Sequence, residues 1–139
     1  MLALVVCAVF GGLALWHFRM AFLPMRGASG AVPSVDGKPL FVPSRRATVA
    51  VGVALVLFAG LVAATSGLVP LGLPPSVLAW LSYGLAAGLL ARAMGEFRYV
   101  GFFKRVRDSR FARLDTWVYS PLCLLLAAGV AIVARQNGG

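Results

Sequence analysis

Four long apolar segments constrain this chain more than any other feature of its sequence. They cover about Leu2 to Phe22, Ala47 to Val69, Ser76 to Met94 and Thr116 to Ala134. Each is close to the roughly 20 residues that cross the hydrocarbon core of a bilayer. Charged residues make up only 12% of the chain, against about a quarter in a typical soluble domain. We therefore predict an all-α membrane protein, a single domain with four transmembrane helices in a bundle.

The first apolar segment is expected to be a retained helix rather than a signal peptide. No Lys or Arg precedes it, and no small-residue cleavage pattern follows it, although both are typical of secretory leaders. The two cysteines, Cys7 and Cys123, lie inside apolar segments and lack the spacing of a metal site or a C-x-x-C pair. We therefore predict no metal site and no disulfide framework.

The connections between the segments differ in character. The first loop, Met25 to Arg46, is rich in glycine and proline, so no long helix fits there. Its Asp36-Gly37 pair permits a small hairpin, whereas its prolines remove backbone donors and equally favour an irregular loop. The turn between the second and third segments is short and uncharged, and Ser76 after it is a candidate helix cap.

The fourth segment carries two local signals near its start. Thr116 is a candidate helix cap. Pro121 lies one turn further on and cannot donate a hydrogen bond to the carbonyl of Trp117. We therefore expect a local distortion of this helix at Pro121.

Basic residues are concentrated on one side of the predicted bundle. The chain has a net charge of +9, and its basic residues fall mainly in the first and third loops. Such loops are cytoplasmic in most membrane proteins, so both termini are expected to lie outside. Because topology explains the charge, nucleic acid is not expected as a partner.

The third loop, Phe97 to Leu114, mixes aromatic and aliphatic side chains with basic ones. A basic segment with apolar anchors suits an anionic membrane surface. The alternative is that these charges fix the topology and bind no specific ligand. The residues expected to contact lipid headgroups are Arg98, Lys104, Arg105, Arg107, Arg110 and Arg113.

A candidate polar site lies at the cytoplasmic end of the third segment. At about 100° per residue, Arg92 is about 40° from Gly88 on a helical wheel. The Gly84-xxx-Gly88 face suits close helix packing, so we expect Arg92 to start from the packed side. Ionisable residues within a membrane are functional candidates, although near a helix end Arg92 can instead extend to the headgroups. By depth alone, the site comprises His17, Arg92, Glu96 and Tyr119.

Several segments together resemble a known family. They are Arg92 to Arg105, Phe111 to Asp115, Tyr119 to Cys123, Val32-Pro33 and Gly37 to Pro43. Together they are similar to the small bacterial integral membrane proteins called domain of unknown function 3995. The resemblance implies a four-helix bacterial membrane protein and supplies no activity, substrate or cofactor. The chain departs from the family at His17-Phe-Arg-Met20, where the family has a Tyr-Trp pair, which weakens any role for His17.

Two functions follow as hypotheses. The first is a non-catalytic protein of the bacterial inner membrane that binds lipids or a partner through its basic face. The second is a membrane enzyme or proton-coupled transporter that uses Glu96 as acid or base, with Arg92 tuning it. The sequence indicates no cofactor. Glycine-lined helices permit contacts within the chain and equally permit homo- or hetero-oligomers.

Overall fold

The computed structural model describes residues 1–23, 32, 34–35, 38–40, 42–95, 99–105, 107 and 109–137. Its long helices are α1 (Leu2–Phe22), α2 (Arg45–Thr65), α3 (Pro75–Met94) and α4 (Arg110–Asn137). Each of them is long and apolar enough to cross a membrane. The prediction of an all-α protein with four membrane-spanning helices is therefore confirmed.

The helices associate as two pairs around a shared apolar core. α1 packs mainly against α2, and α3 packs mainly against α4. All four helices contribute to the core, through Phe10, Val62, Ala86 and Val130 among others. Many large apolar side chains on the outer faces remain exposed. Soluble monomers seldom expose so much contiguous apolar surface, so this outer surface suits a lipid environment.

The glycines at close helix contacts are not the ones that the sequence pattern suggested. A Cβ atom on Gly52 would lie 2.7 Å from the Phe18 ring, and one on Gly129 would lie 2.8 Å from Val6. Gly84 and Gly88 are instead exposed, and a Cβ on either would have no neighbour within 4 Å among the described residues. The sequence left open whether their face packs within the chain or between copies, and the described residues give it no close contact within the chain.

Three boundaries of α2 and α3 differ from the sequence prediction because of local capping and turn residues. α2 begins at Arg45, since the Ser44 side chain accepts a hydrogen bond from the Ala47 backbone N–H at 3.1 Å. It ends at Thr65, shortly before Gly67 takes a left-handed φ of 74°. α3 begins at Pro75, because proline is well suited to the first helical turn. Ser76 is thus inside the helix and is not its cap.

α4 begins at Arg110, well before the predicted start at Thr116. Its cap is Ser109, whose hydroxyl accepts a hydrogen bond from the Ala112 backbone at 3.0 Å. The stretch Asp115–Tyr119 forms a π-helical turn, in which the Ser120 N–H donates to the Asp115 carbonyl. The distortion expected at Pro121 takes this form, a widened turn directly before the proline.

The first loop contains a minimal antiparallel pair. Ser34–Val35 pairs with Lys38–Pro39, in a register that matches Ser34 with Pro39. The small hairpin is thus present in its shortest form. Asp36 and Gly37, which carried the turn prediction, lie outside the described residues.

Candidate functional site

One end of the bundle gathers most of the basic side chains, and we call it the basic end. Here α1 and α3 end while α2 and α4 begin. The Arg45 guanidinium lies 4.4 Å from the centre of the Phe22 ring, which joins α1 to α2. Arg92 and Asp115 form an ion pair at 2.9 Å, which joins α3 to α4. The opposite end of the bundle carries the uncharged turn between α2 and α3, and Arg135 near the end of α4.

Asp115 is the centre of the polar contacts at the basic end. Its side chain is 0% exposed, and both carboxylate oxygens are occupied. Oδ1 accepts from Arg92 Nη2 at 2.9 Å. Oδ2 accepts from the Gly101 backbone N–H at 2.6 Å and from Lys104 Nζ at 3.1 Å. Because a buried charge needs such partners, Asp115 fixes α3 and the third loop to α4.

Lys104 is buried beside this carboxylate, with only 2% of its surface exposed. Besides Asp115, its ammonium donates to the Gly101 carbonyl at 2.9 Å and to Thr116 Oγ1 at 2.5 Å. An ammonium group has three hydrogens to donate, so these partners use all of them. The structure therefore corrects the headgroup assignment for Lys104: it is an internal ion-pair partner of Asp115.

Two glycines let the third loop fold back over the end of α3. Gly95 and Gly101 have φ values of 85° and 88°, in the left-handed region that favours glycine. A Cβ on Gly95 would overlap the Val100 carbonyl, and one on Gly101 would overlap the Met94 carbonyl. This close approach brings the Gly101 N–H to Asp115.

The predicted polar site is only partly assembled by the described residues. Arg92 is present at the site, and its partner is Asp115. His17 Nδ1 lies 2.7 Å from the Leu13 carbonyl oxygen within α1. The ring centroids of Tyr119 and Phe111 are 6.0 Å apart. Glu96 lies outside the described residues. The joint site of His17, Arg92, Glu96 and Tyr119 therefore stays a prediction.

The remaining headgroup candidates lie on the outside of the basic end. Arg105, Arg107, Arg110 and Arg113 are all exposed, whereas Arg98 lies outside the described residues. Large apolar side chains accompany them: Phe103 is 60% exposed, and Trp117 on α4 is 80% exposed.

Sequence reasoning missed Asp115 and Thr116 as site residues. Asp115 entered only as the last residue of a family motif, and Thr116 only as a candidate cap. The sequence did contain a signal for Asp115. A carboxylate at the end of a strongly basic segment has many potential ion-pair partners. The contacts with Gly101 and Lys104, however, exist only in the folded chain.

The cluster has a structural role, because the hydrogen-bonding positions of Asp115 and Lys104 are filled by groups of the protein itself. Two polar groups differ: Arg92 Nη1 and Ser120 Oγ are buried without a hydrogen-bond partner among the described residues. The described residues also contain no group of three His, Cys, Asp or Glu side chains that could hold a metal ion.

Comparison with known proteins places the chain in a family without an assigned activity. No curated protein and no solved structure matches it. A family model described as "Protein of unknown function (DUF3995)" matches residues 10–130. The match spans the Asp115 cluster and most of the four helices. The chain therefore belongs to the DUF3995 family.

Proposed function

We propose that this protein is a non-catalytic integral membrane protein whose basic end binds anionic lipid headgroups. The observation that carries the proposal is the exposure of Arg105, Arg107, Arg110 and Arg113 beside the exposed Trp117. Tryptophan is enriched at the membrane–water interface. Trp117 therefore suits a depth at which the neighbouring arginines meet headgroups.

The same charges give the proposed orientation. With the basic end cytoplasmic, both termini lie outside, in the inner membrane of a bacterium. A surface Lys or Arg contributes about 1 kcal/mol of attraction to an anionic leaflet. A reporter that is active only in the cytoplasm, fused after the last residue, should be inactive. Activity of that reporter would reverse the orientation.

The contacts of Asp115 support a structural role for this buried carboxylate rather than a role in acid–base chemistry. Both of its oxygens accept hydrogen bonds from cationic or backbone donors. A general base needs an oxygen within reach of the proton that it removes. The enzyme or transporter hypothesis rested on Glu96 and stays a prediction.

The experiment compares lipid retention by the wild-type protein and by a variant with Arg105, Arg107 and Arg110 changed to Gln. Each protein is purified with equimolar phosphatidylglycerol and phosphatidylcholine, and bound lipids are counted by native mass spectrometry. The preference for phosphatidylglycerol should fall by about fivefold for each arginine removed. Arg135→Gln, at the opposite end, is the control and should leave the preference unchanged. Equal preference in the triple variant and the wild type would refute the proposal.

A further inference from the structure

Arg92 uses only one side of its guanidinium group in the contact with Asp115. Nη2 donates to Asp115 Oδ1 at 2.9 Å, whereas Nη1 is buried and has no hydrogen-bond partner among the described residues. Buried arginine donors are almost always paired, because an unpaired one loses its hydration without compensation. Nη1 therefore requires a hydrogen-bond acceptor, such as an oxygen atom.

Ser120 presents a second unpaired group on the neighbouring helix. It is completely buried, and its hydroxyl has no partner among the described residues. The Ser120 N–H donates to the Asp115 carbonyl across the π-helical turn, so the two residues are stacked along α4. Asp115 pairs with Arg92, and α3 packs mainly against this helix. This stretch of α4 therefore faces Arg92.

The charges of the cluster indicate which kind of acceptor fits. Arg92 and Lys104 bring two positive charges to the single described carboxylate, Asp115. Both oxygens of that carboxylate are already occupied. An anionic oxygen would satisfy Arg92 and balance the second positive charge. Arginine pairs especially well with phosphate oxygens.

The depth of the cluster fits a phosphate group at the membrane surface. Arg92 is in the last turn of α3, and Trp117 projects outward from the π-helical turn of α4 with 80% exposure. The Arg92 side chain as a whole remains 37% exposed, whereas Nη1 and Ser120 Oγ are buried, so binding of a phosphate group there requires a local opening between α3 and α4. We propose that Arg92 Nη1 and Ser120 Oγ together bind the phosphate group of a ligand between α3 and α4. This rests on the proposed headgroup binding and gives it a specific site.

The decisive variant is Ser120→Ala, which removes one hydroxyl and leaves the Asp115 ion pairs in place. Native mass spectrometry with phosphatidylglycerol should show one tightly held lipid on the wild-type protein at high collision energy. The affinity of the variant for that lipid should be at least about tenfold lower, since a hydrogen bond to a charged group is removed. Its thermal unfolding temperature should be unchanged or higher, because the hydroxyl has no hydrogen-bond partner among the described residues.

Ser76→Ala is the matched control, since Ser76 is an exposed serine at the opposite end of the bundle. It should retain the lipid. If Ser120→Ala retains the lipid as well as Ser76→Ala does, the Arg92–Ser120 site is refuted. Lipid preference that depends on Arg105, Arg107 and Arg110 would still stand in that case. Conversely, Ser120→Ala could lose the tightly held lipid while the triple variant keeps its preference for phosphatidylglycerol. That result would refute the proposed surface contacts and support the Arg92–Ser120 site.

A second arm separates a lipid headgroup from free phosphate. Lipid-free protein in neutral detergent is unfolded thermally in sodium phosphate and in sodium chloride of equal ionic strength. Stabilisation by phosphate in the wild type, absent in Ser120→Ala, would identify free phosphate as sufficient. Stabilisation by added phosphatidylglycerol alone would identify the lipid. If neither stabilises the wild type more than Ser120→Ala, the site binds no phosphate and the proposal fails.

Discussion

The two ends of the bundle join their helices in different ways. At the basic end, one buried carboxylate accepts from Arg92, Gly101 and Lys104, so charge holds the third loop against α3 and α4. At the opposite end, α2 and α3 meet through the hydroxyls of Thr65 and Ser82, 2.8 Å apart. Among the described residues, the basic end is therefore the one that depends on paired buried charges.

This contrast has an energetic basis. Removing one member of a buried ion pair leaves the other charge without compensation, which costs far more than the intact pair contributes. A hydroxyl pair between membrane helices contributes little and leaves no charge behind when it is removed. Substitutions at the basic end should therefore be the more damaging.

The largest effect is expected for Asp115→Ala. The change leaves Arg92 and Lys104 without their common carboxylate, so unfolding free energy should fall by about 3–5 kcal/mol. Chemical or thermal unfolding in detergent, followed by circular dichroism, measures the loss. A decrease no larger than that of a hydroxyl variant at the opposite end would remove the distinction between the two ends.

A smaller but clear effect is expected for Gly101→Ala. A side chain here must adopt a left-handed φ, at a cost of roughly 1–3 kcal/mol, and its Cβ would also overlap the Met94 carbonyl. Gly72→Ala is the matched control at the opposite end: its φ is 70°, and a Cβ there meets no atom within 4 Å among the described residues. Unfolding temperatures should fall further for Gly101→Ala, and equal falls would contradict the tight loop contact.

Thr65→Val tests the opposite end. It removes the hydroxyl contact with Ser82 while keeping the shape of the side chain, and the expected loss of unfolding free energy is about 0.6 kcal/mol. Ser82→Ala, alone and in the Thr65→Val background, completes a double-mutant cycle. A coupling energy that approaches the effect of Asp115→Ala would show that both ends rely on polar contacts equally.

No loss of stability is expected for Gly88→Ala in the isolated chain. The added methyl meets open space, and alanine is favoured over glycine in a helix by up to about 1 kcal/mol. Unfolding temperature should stay unchanged or rise. Gly129→Ala is the contrasting control, because its methyl would press on Val6. A shift to smaller particles in size-exclusion chromatography for Gly88→Ala would indicate that this outward face joins copies of the protein.

Hydropathy predicted the helices because it is a local property of the chain. It failed at the start of α4, where Arg110 and Arg113 suggested a surface loop. The helix extends over them because Ser109 caps it and because Phe111 and Ala112 are buried between the charged positions. This first turn of α4 has one charged face and one buried apolar face. A search for uniformly apolar segments overlooks such an amphipathic turn.

The site was less predictable because it depends on contacts between distant parts of the chain. Arg92 was identified from its apolar surroundings, whereas its partner lies 23 residues away on another helix. Small residues leave a related question open, because glycine permits close approach without specifying a neighbour. Gly52 and Gly129 have close neighbours in the fold, whereas Gly84 and Gly88 have none among the described residues.

The π-helical turn has a consequence for how this protein tolerates insertions and deletions. A π turn holds one residue more than an α-helical turn over nearly the same length, so Asp115–Tyr119 behaves as a built-in single-residue insertion. Deleting one residue from 116–119 would restore a regular helix and leave the face of Ser120 onward in place. Asp115 would then also stay close to its position opposite Arg92, because the turn loses only the residue that it holds in excess. A relative that lacks this residue would therefore keep the same anchor for its third loop, provided that it retains the carboxylate.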